Sequence, residues 1–198
     1  RPSGGVPIHV AGQFRDPYGF QQAPGGAYYV FDRRAHTVWR ISANFEDARS
    51  VVAIGHEPGR LYLPSAFAVG DNGFVVADAP EGRERIQFFD EHGGRLSAFT
   101  LPGRASARVT LDTAVINGVS SLDYTGSSVL INRPEDAALV SEYTPTGTPV
   151  RSFGALRRTG HEADRDLHLA FNIGLPLQAR DGGAFFVFLT GEPRFRKY

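Results

Sequence analysis

Cysteine and methionine are both absent from this 198-residue chain. Without cysteine there is no disulfide framework, no thiol nucleophile, no CxxC redox pair and no Cys-ligated zinc. Lysine is nearly absent: Lys197 stands alone against 20 arginines. Net charge is missing too, with 21 basic and 21 acidic residues. A chain that held nucleic acid by its general field would carry a positive excess. No nucleic-acid partner is therefore expected, and the arginine bias reads as genomic base composition. No run approaches the ~20 apolar residues of a transmembrane helix, so no transmembrane segment is expected. Disorder is excluded in turn by a hydrophobic content of 41%. What is abundant is turn chemistry. There are 23 glycines and 13 prolines, above the ~12% combined share of ordinary globular chains.

Short apolar runs recur between these turns. Tyr28-Tyr29-Val30-Phe31-Asp32, Phe74-Val75-Val76-Ala77-Asp78, Val129-Leu130-Ile131-Asn132 and Ala184-Phe185-Phe186-Val187-Phe188-Leu189 each follow a glycine (Gly26, Gly73, Gly126, Gly183). The interval is near 50 residues. A second strand follows each run: Val38–Ile41, Ile86–Phe89, Leu139–Tyr143 and Phe195–Tyr198. A small-residue strand precedes each, within Pro17–Phe20, Pro64–Val69, Val119–Leu122 and Ile173–Leu177. Linking strands follow at Val51–Ile54, Leu96–Phe99 and Val150–Phe153. Runs this short and this regularly punctuated are strands rather than helices. Four strands per repeat at this period predict an all-β fold, a β-propeller of four-stranded antiparallel blades with about four blades. One small sheet cannot bury both faces alone, and radial stacking covers each face with the next blade.

The second unit carries a resemblance. Leu63–Val69, Gly73–Asp78, Arg85-Ile86-Gln87-Phe88-Phe89-Asp90 and Gly94-Arg95-Leu96 together resemble an NHL-type repeat. The likeness is good around Tyr28–Ile41 and degenerate in the later units. It implies kinship with bacterial six-bladed propellers, many of them secreted or lipid-anchored. Six blades need ~300 residues. Residues 1–198 then form a single propeller domain that is either a partial six-bladed ring, incomplete at the C-terminus, or a closed four-bladed ring. In the closed ring Val6-Pro7-Ile8-His9-Val10, read as an isolated strand, completes the last blade. The resemblance also implies that Asp78 pairs with Arg85. The chain starts at Arg1 rather than Met, which with the fold reading favours an extracytoplasmic (periplasmic or secreted) location.

Aligning the units brings Asp16, Asn117 and Asn172 to one channel mouth. This is similar to gluconolactonase- and regucalcin-like propellers, and it implies a divalent cation, Ca or Mg, on hard oxygen ligands. The other reading is that Asn and Asp hold turns by bonding their own backbone. A second candidate is the cluster His161, Asp164, Asp166 and His168 in the linker after the third unit. On a helix Asp164 and His168 share one face, as do His161 and Arg165. A solvated loop or short helix explains it equally, with Arg157, Arg158 and Arg165 pairing the acids. In Arg194-Phe195-Arg196-Lys197-Tyr198, alternation on a strand is expected to put charges on one face and rings on the other.

No phosphate loop, GxSxG elbow or HExxH spacing is present. The expectation is therefore a non-catalytic scaffold with a protein partner, or an accessory subunit of an extracytoplasmic assembly. The long inter-blade segments from Gly55 to Leu63, Pro102 to Asn117 and Ala155 to Ala170 would be displayed. The alternative is a divalent-metal-dependent lactonase- or esterase-like hydrolase using Asp16, Asn117 and Asn172.

Overall fold

Each repeat folds into a meander, and the meanders stack. In the computed structural model, residues 6–103, 109–111, 114–116, 119, 121–179, 182–190 and 194–198 are described. The first blade is β1 (Pro17–Gln22), β2 (Tyr28–Asp32), β3 (Thr37–Ile41) and β4 (Ala48–Val52), paired in that order. The second is β5 (Ala66–Gly70), β6 (Gly73–Asp78), β7 (Arg85–Phe89) and β8 (Arg95–Thr100). A two-stranded hairpin, β9 (Val109–Leu111) with β10 (Ala114–Ile116), lies in the next connection. The third blade is β11 (Ser121–Tyr124), β12 (Val129–Asn132), β13 (Ala138–Tyr143) and β14 (Pro149–Ala155). The fourth has three strands: β15 (Gly174–Gln178), β16 (Ala184–Phe188) and β17 (Phe195–Lys197).

All pairings within the blades are antiparallel. The second strands of blades two and three are apolar up to a polar last residue because both of their faces are covered. β6 and β12 are buried at every residue. Between blades one and two lie Tyr29, Phe31, Val38, Phe67, Phe74 and Phe89. Between two and three lie Ala68, Val75, Ile86, Phe88, Leu122 and Tyr124. Leu130, Leu139, Phe186 and Phe188 fill the space between three and four. Burying one such side chain is worth ~1.5–3 kcal/mol, so these seams carry the stacking.

The N-terminal segment differs from expectation. Residues Ile8–Ala11 form a single helical turn, α1, not a strand. Val10 of this turn and the flanking Val6 and Phe14 gather in one apolar cluster. They pack on the outer face of blade one against Val30, Trp39, Ile41 and Phe45. This segment covers blade one and adds no strand to blade four. The innermost strands touch in sequence, β1 with β5, β5 with β11, and β11 with β15. Among the described residues no comparable contact joins β15 to β1. The four blades thus form an arc.

The outer face of blade four carries Leu175, Leu177, Phe185 and Val187 by strand register, opposite the face that holds Ala184, Phe186 and Phe188. Strand alternation also corrects the C-terminal reading. Arg196 pairs with Phe186 and faces blade three, while Phe195 and Lys197 share the opposite face. Charges and rings are therefore mixed on each side.

Candidate functional site

The meander puts turns 33–36, 79–84 and 133–137 at the same end of the disc as the long connections 53–65 and 156–173. Each of the first three blades ends its second strand there in a buried oxygen acceptor: Asp32, Asp78 or Asn132. Asp32 accepts the backbone N–H groups of Arg15 (2.7 Å), Asp16 (3.1 Å) and Ala35 (3.0 Å). Asp78 accepts from Tyr62 N–H at 3.0 Å and from Arg85 Nε and Nη2 at 2.9 and 2.6 Å. The expected Asp78–Arg85 pair is therefore present, and it is bidentate. Asn132 accepts from Gly174 N–H at 3.0 Å and donates to the Leu139 carbonyl at 2.7 Å. Unpaired backbone N–H groups are costly to bury, and these side chains satisfy them.

The proposed cation ligands are separately engaged. Asp16 is part-exposed, and its carboxylate lies 3.5 Å from Arg33. Asn172 is fully buried. Its Oδ1 accepts from Arg157 N–H at 2.8 Å, and its Nδ2 donates to the carbonyls of Arg157 (3.3 Å) and His168 (3.0 Å). Asn117 lies outside the described residues. Among the described residues no hydrogen bond or ion pair joins Asp16 to Asn172, and no three His, Asp or Glu side chains converge as a metal site.

The second candidate cluster is a capped turn. Asp164 is the N-cap of helix α2 (Arg165–Ala170), and its carboxylate accepts Leu167 N–H at 3.1 Å. His168 Nδ1 lies 2.8 Å from Thr159 Oγ1 and 3.9 Å from Glu162. Glu162 is held below the usual carboxylate range by the backbone N–H groups around it, its own and those of Thr159 and Gly160. Asp166 faces Arg165 at 3.9 Å in solvent. His161 leaves the cluster to stack on Phe171, 5.5 Å between centroids. Arg157 pairs with no acid among the described residues. It donates instead to the carbonyls of Phe171 (2.8 Å) and Thr190 (2.9 Å).

A groove that the sequence does not announce opens beside blade two. His56, Pro80, Glu81, Arg83, Arg85 and Thr100 line a hollow of about 230 Å³. A larger one of about 600 Å³ shares Glu81 and Arg83 and adds Gly82 and Gly103. The turn between β6 and β7 builds the shared wall. Glu81 and Gly82 both take left-handed backbone, with φ of 56° and 70°. Arg85 fixes the opposite wall through the carbonyls of His56 (2.9 Å) and Arg60 (3.0 Å). His56 stacks on Tyr62 at 3.8 Å, and His36 meets the same ring edge-on at 5.7 Å. Burial pushes the His36 imidazole below its ordinary range, against the opposing charge of Asp78.

Beneath the groove a buried triad bolts blade two to blade three. Arg133 Nε lies 2.8 Å from Glu84, its Nη1 lies 3.0 Å from Asp136, and its Nη2 donates to the Pro102 carbonyl at 2.9 Å. Burial raises the Asp136 carboxyl in spite of Arg133. The only advance sign of the groove was the long Gly55–Leu63 segment. The Pro-Glu-Gly-Arg turn carried no motif.

Four stacked antiparallel meanders with long connections at one end define a β-propeller. No known family model matches the sequence, and no curated protein does. The fold is similar to virginiamycin B lyase from Staphylococcus aureus, at 14% identity and a TM-score of 0.56. That alignment covers 92% of this chain and 55% of the lyase. A protein of unknown function from Bacteroides caccae aligns at 14% identity and a TM-score of 0.49, over 91% of this chain and 61% of its own. Puromycin hydrolase aligns at 17% identity and 0.43, over 86% and 25%. The chain thus spans under two thirds of the first two structures. At these identities the likeness is one of fold, and one fold serves many functions.

Proposed function

We propose that the protein is a non-catalytic binding propeller that presents the groove of His56, Glu81, Arg83 and Thr100 to a protein partner. One observation carries this reading. The buried polar groups at this end, Asp32, Asp78, Asn132, Asn172, Glu84 and Arg133, are committed to holding connections and blades. Among the described residues the groove keeps charges of both signs without a nucleophile and base in contact. Catalysis needs such groups converging on a reacting atom, whereas protein recognition needs complementary charge on a fixed frame. An extracytoplasmic location belongs to the same proposal, and cell fractionation tests it.

Two measurements test the function. A panel of lactones and esters with Ca²⁺ or Mg²⁺ is expected to show no turnover. Turnover that Asp16→Asn abolishes would establish the metal-dependent hydrolase instead. Arg83→Glu is expected to weaken partner association at least tenfold while leaving the urea midpoint within error, because Arg83 is exposed.

A further inference from the structure

A second polar feature lies away from the groove, where the connection 156–173 meets blade four. Arg157 and Arg196 both approach the ring of Phe188, with Cζ at 4.7 and 5.3 Å from its centroid. The separation of the two guanidinium carbons is bounded by the sum of those distances. Two like charges that share one ring repel, and the ring quadrupole offsets only part of that. Among the described residues the acids of this connection act elsewhere. Glu162 accepts the N–H groups of Thr159 and Gly160, Asp164 caps α2, and Asp166 faces Arg165. Burial, together with the charges of Arg194 and Arg196, pushes the Arg157 guanidinium below the usual arginine range.

The donors left over point to a ligand class. Arg157 is rigid: Nε bonds the Phe171 carbonyl, and Nη2 bonds the carbonyl and the hydroxyl of Thr190. A guanidinium carries five N–H donors, so among the described residues the two on Nη1 remain. Arg196 uses one N–H of Nη1 on the Ala155 carbonyl at 3.0 Å, which among the described residues leaves four donors, those of Nε and Nη2 included. N–H pairs on two guanidinium groups gathered at one ring match the oxygens of a carboxylate or phosphate.

We propose that Arg157 and Arg196, stacked on Phe188, form an oxyanion-binding site for a carboxylate or phosphate group. The bound anion removes the repulsion between the two cations, and Arg157 loses little freedom because it is already held. The site is independent of the groove on blade two, so each stands or falls alone.

The test is a titration of the intact chain with inorganic phosphate and with citrate, followed by thermal unfolding and calorimetry. Sodium chloride at matched ionic strength is the reference. A saturable rise in Tm beyond chloride is expected with at least one of them. Phosphate alone assigns a phosphate ligand, and citrate alone a carboxylate. Arg196→Gln is expected to weaken the affinity about tenfold, the loss of one charge-assisted bond. Arg49→Gln, on blade one, is expected to leave it unchanged. Arg157→Lys keeps the charge but loses the fork, and should weaken binding similarly. Arg196→Gln decides the matter if the Arg157 variant fails to fold. An equal response in wild type and Arg196→Gln, or a rise no larger than with chloride, overturns the site.

Discussion

The buried acceptors at the strand ends are single residues on which whole connections depend. Asp78 is fully buried and joins Arg85, Gln87 and the Tyr62 N–H. Asp78→Asn leaves the Arg85 guanidinium without its counter-charge, and removing one partner of a buried pair costs about 3 kcal/mol. Urea unfolding should show that loss, and Asp16→Asn, at an exposed pair, should cost well under 1 kcal/mol. His36 sets a pH dependence. Its folded pKa lies below the unfolded one, so the unfolded chain takes up the proton first as pH falls. Stability is therefore lost as pH drops through the unfolded value near ~6.5. His36→Asn removes that titration and suits the left-handed backbone at φ 50°. The urea midpoint of wild type should fall relative to this variant between pH 7.5 and 5.5. Parallel curves would show that His36 is not the group responsible.

The strands were legible as elements because their signals are local. Tyr28–Asp32 and Val129–Asn132 emerge with the bounds that their flanking turns mark. Val6–Val10 did not, since so short a run fits a strand or a helix turn alike, and only its docking on Trp39 and Ile41 decides. The site was less legible for the same reason. Asn172 and Asp164 were visible as polar side chains, but their commitment to backbone groups depends on tertiary neighbours. The groove arises from a turn whose residues carry no motif. Two element-level outcomes follow. Asp164→Ala removes the α2 cap and should cost about 1 kcal/mol, read as faster amide exchange at Leu167 and His168. Gly93→Ala should be far more damaging. Gly93 has φ of 86°, and a Cβ there would lie 2.0 Å from the Val51 carbonyl oxygen. The β7–β8 turn and blade one must then separate, which should lower the Tm by several degrees.

At the scale of the molecule, the blades form an arc whose two ends are finished differently. Blade one is covered by α1, whereas blade four presents Leu177, Leu189 and Phe195, the last 71% exposed. Contiguous apolar surface of this kind promotes association. The 198-residue chain is expected to self-associate as its concentration rises, and Phe195→Lys should reduce that in sedimentation velocity without lowering the Tm. Zero net charge gives no general repulsion against it. The binding role of the groove is best tested by site-specific photo-crosslinking, because a chain whose sole lysine is Lys197 offers little to amine-reactive reagents. A photoreactive side chain placed at Thr100 in the native host should yield one discrete protein adduct that disappears with Arg83→Glu, while the same label at Glu46 on blade one yields none. Equal labelling at Thr100 and Glu46, or an adduct at Thr100 indifferent to Arg83→Glu, would contradict a partner seated in the groove.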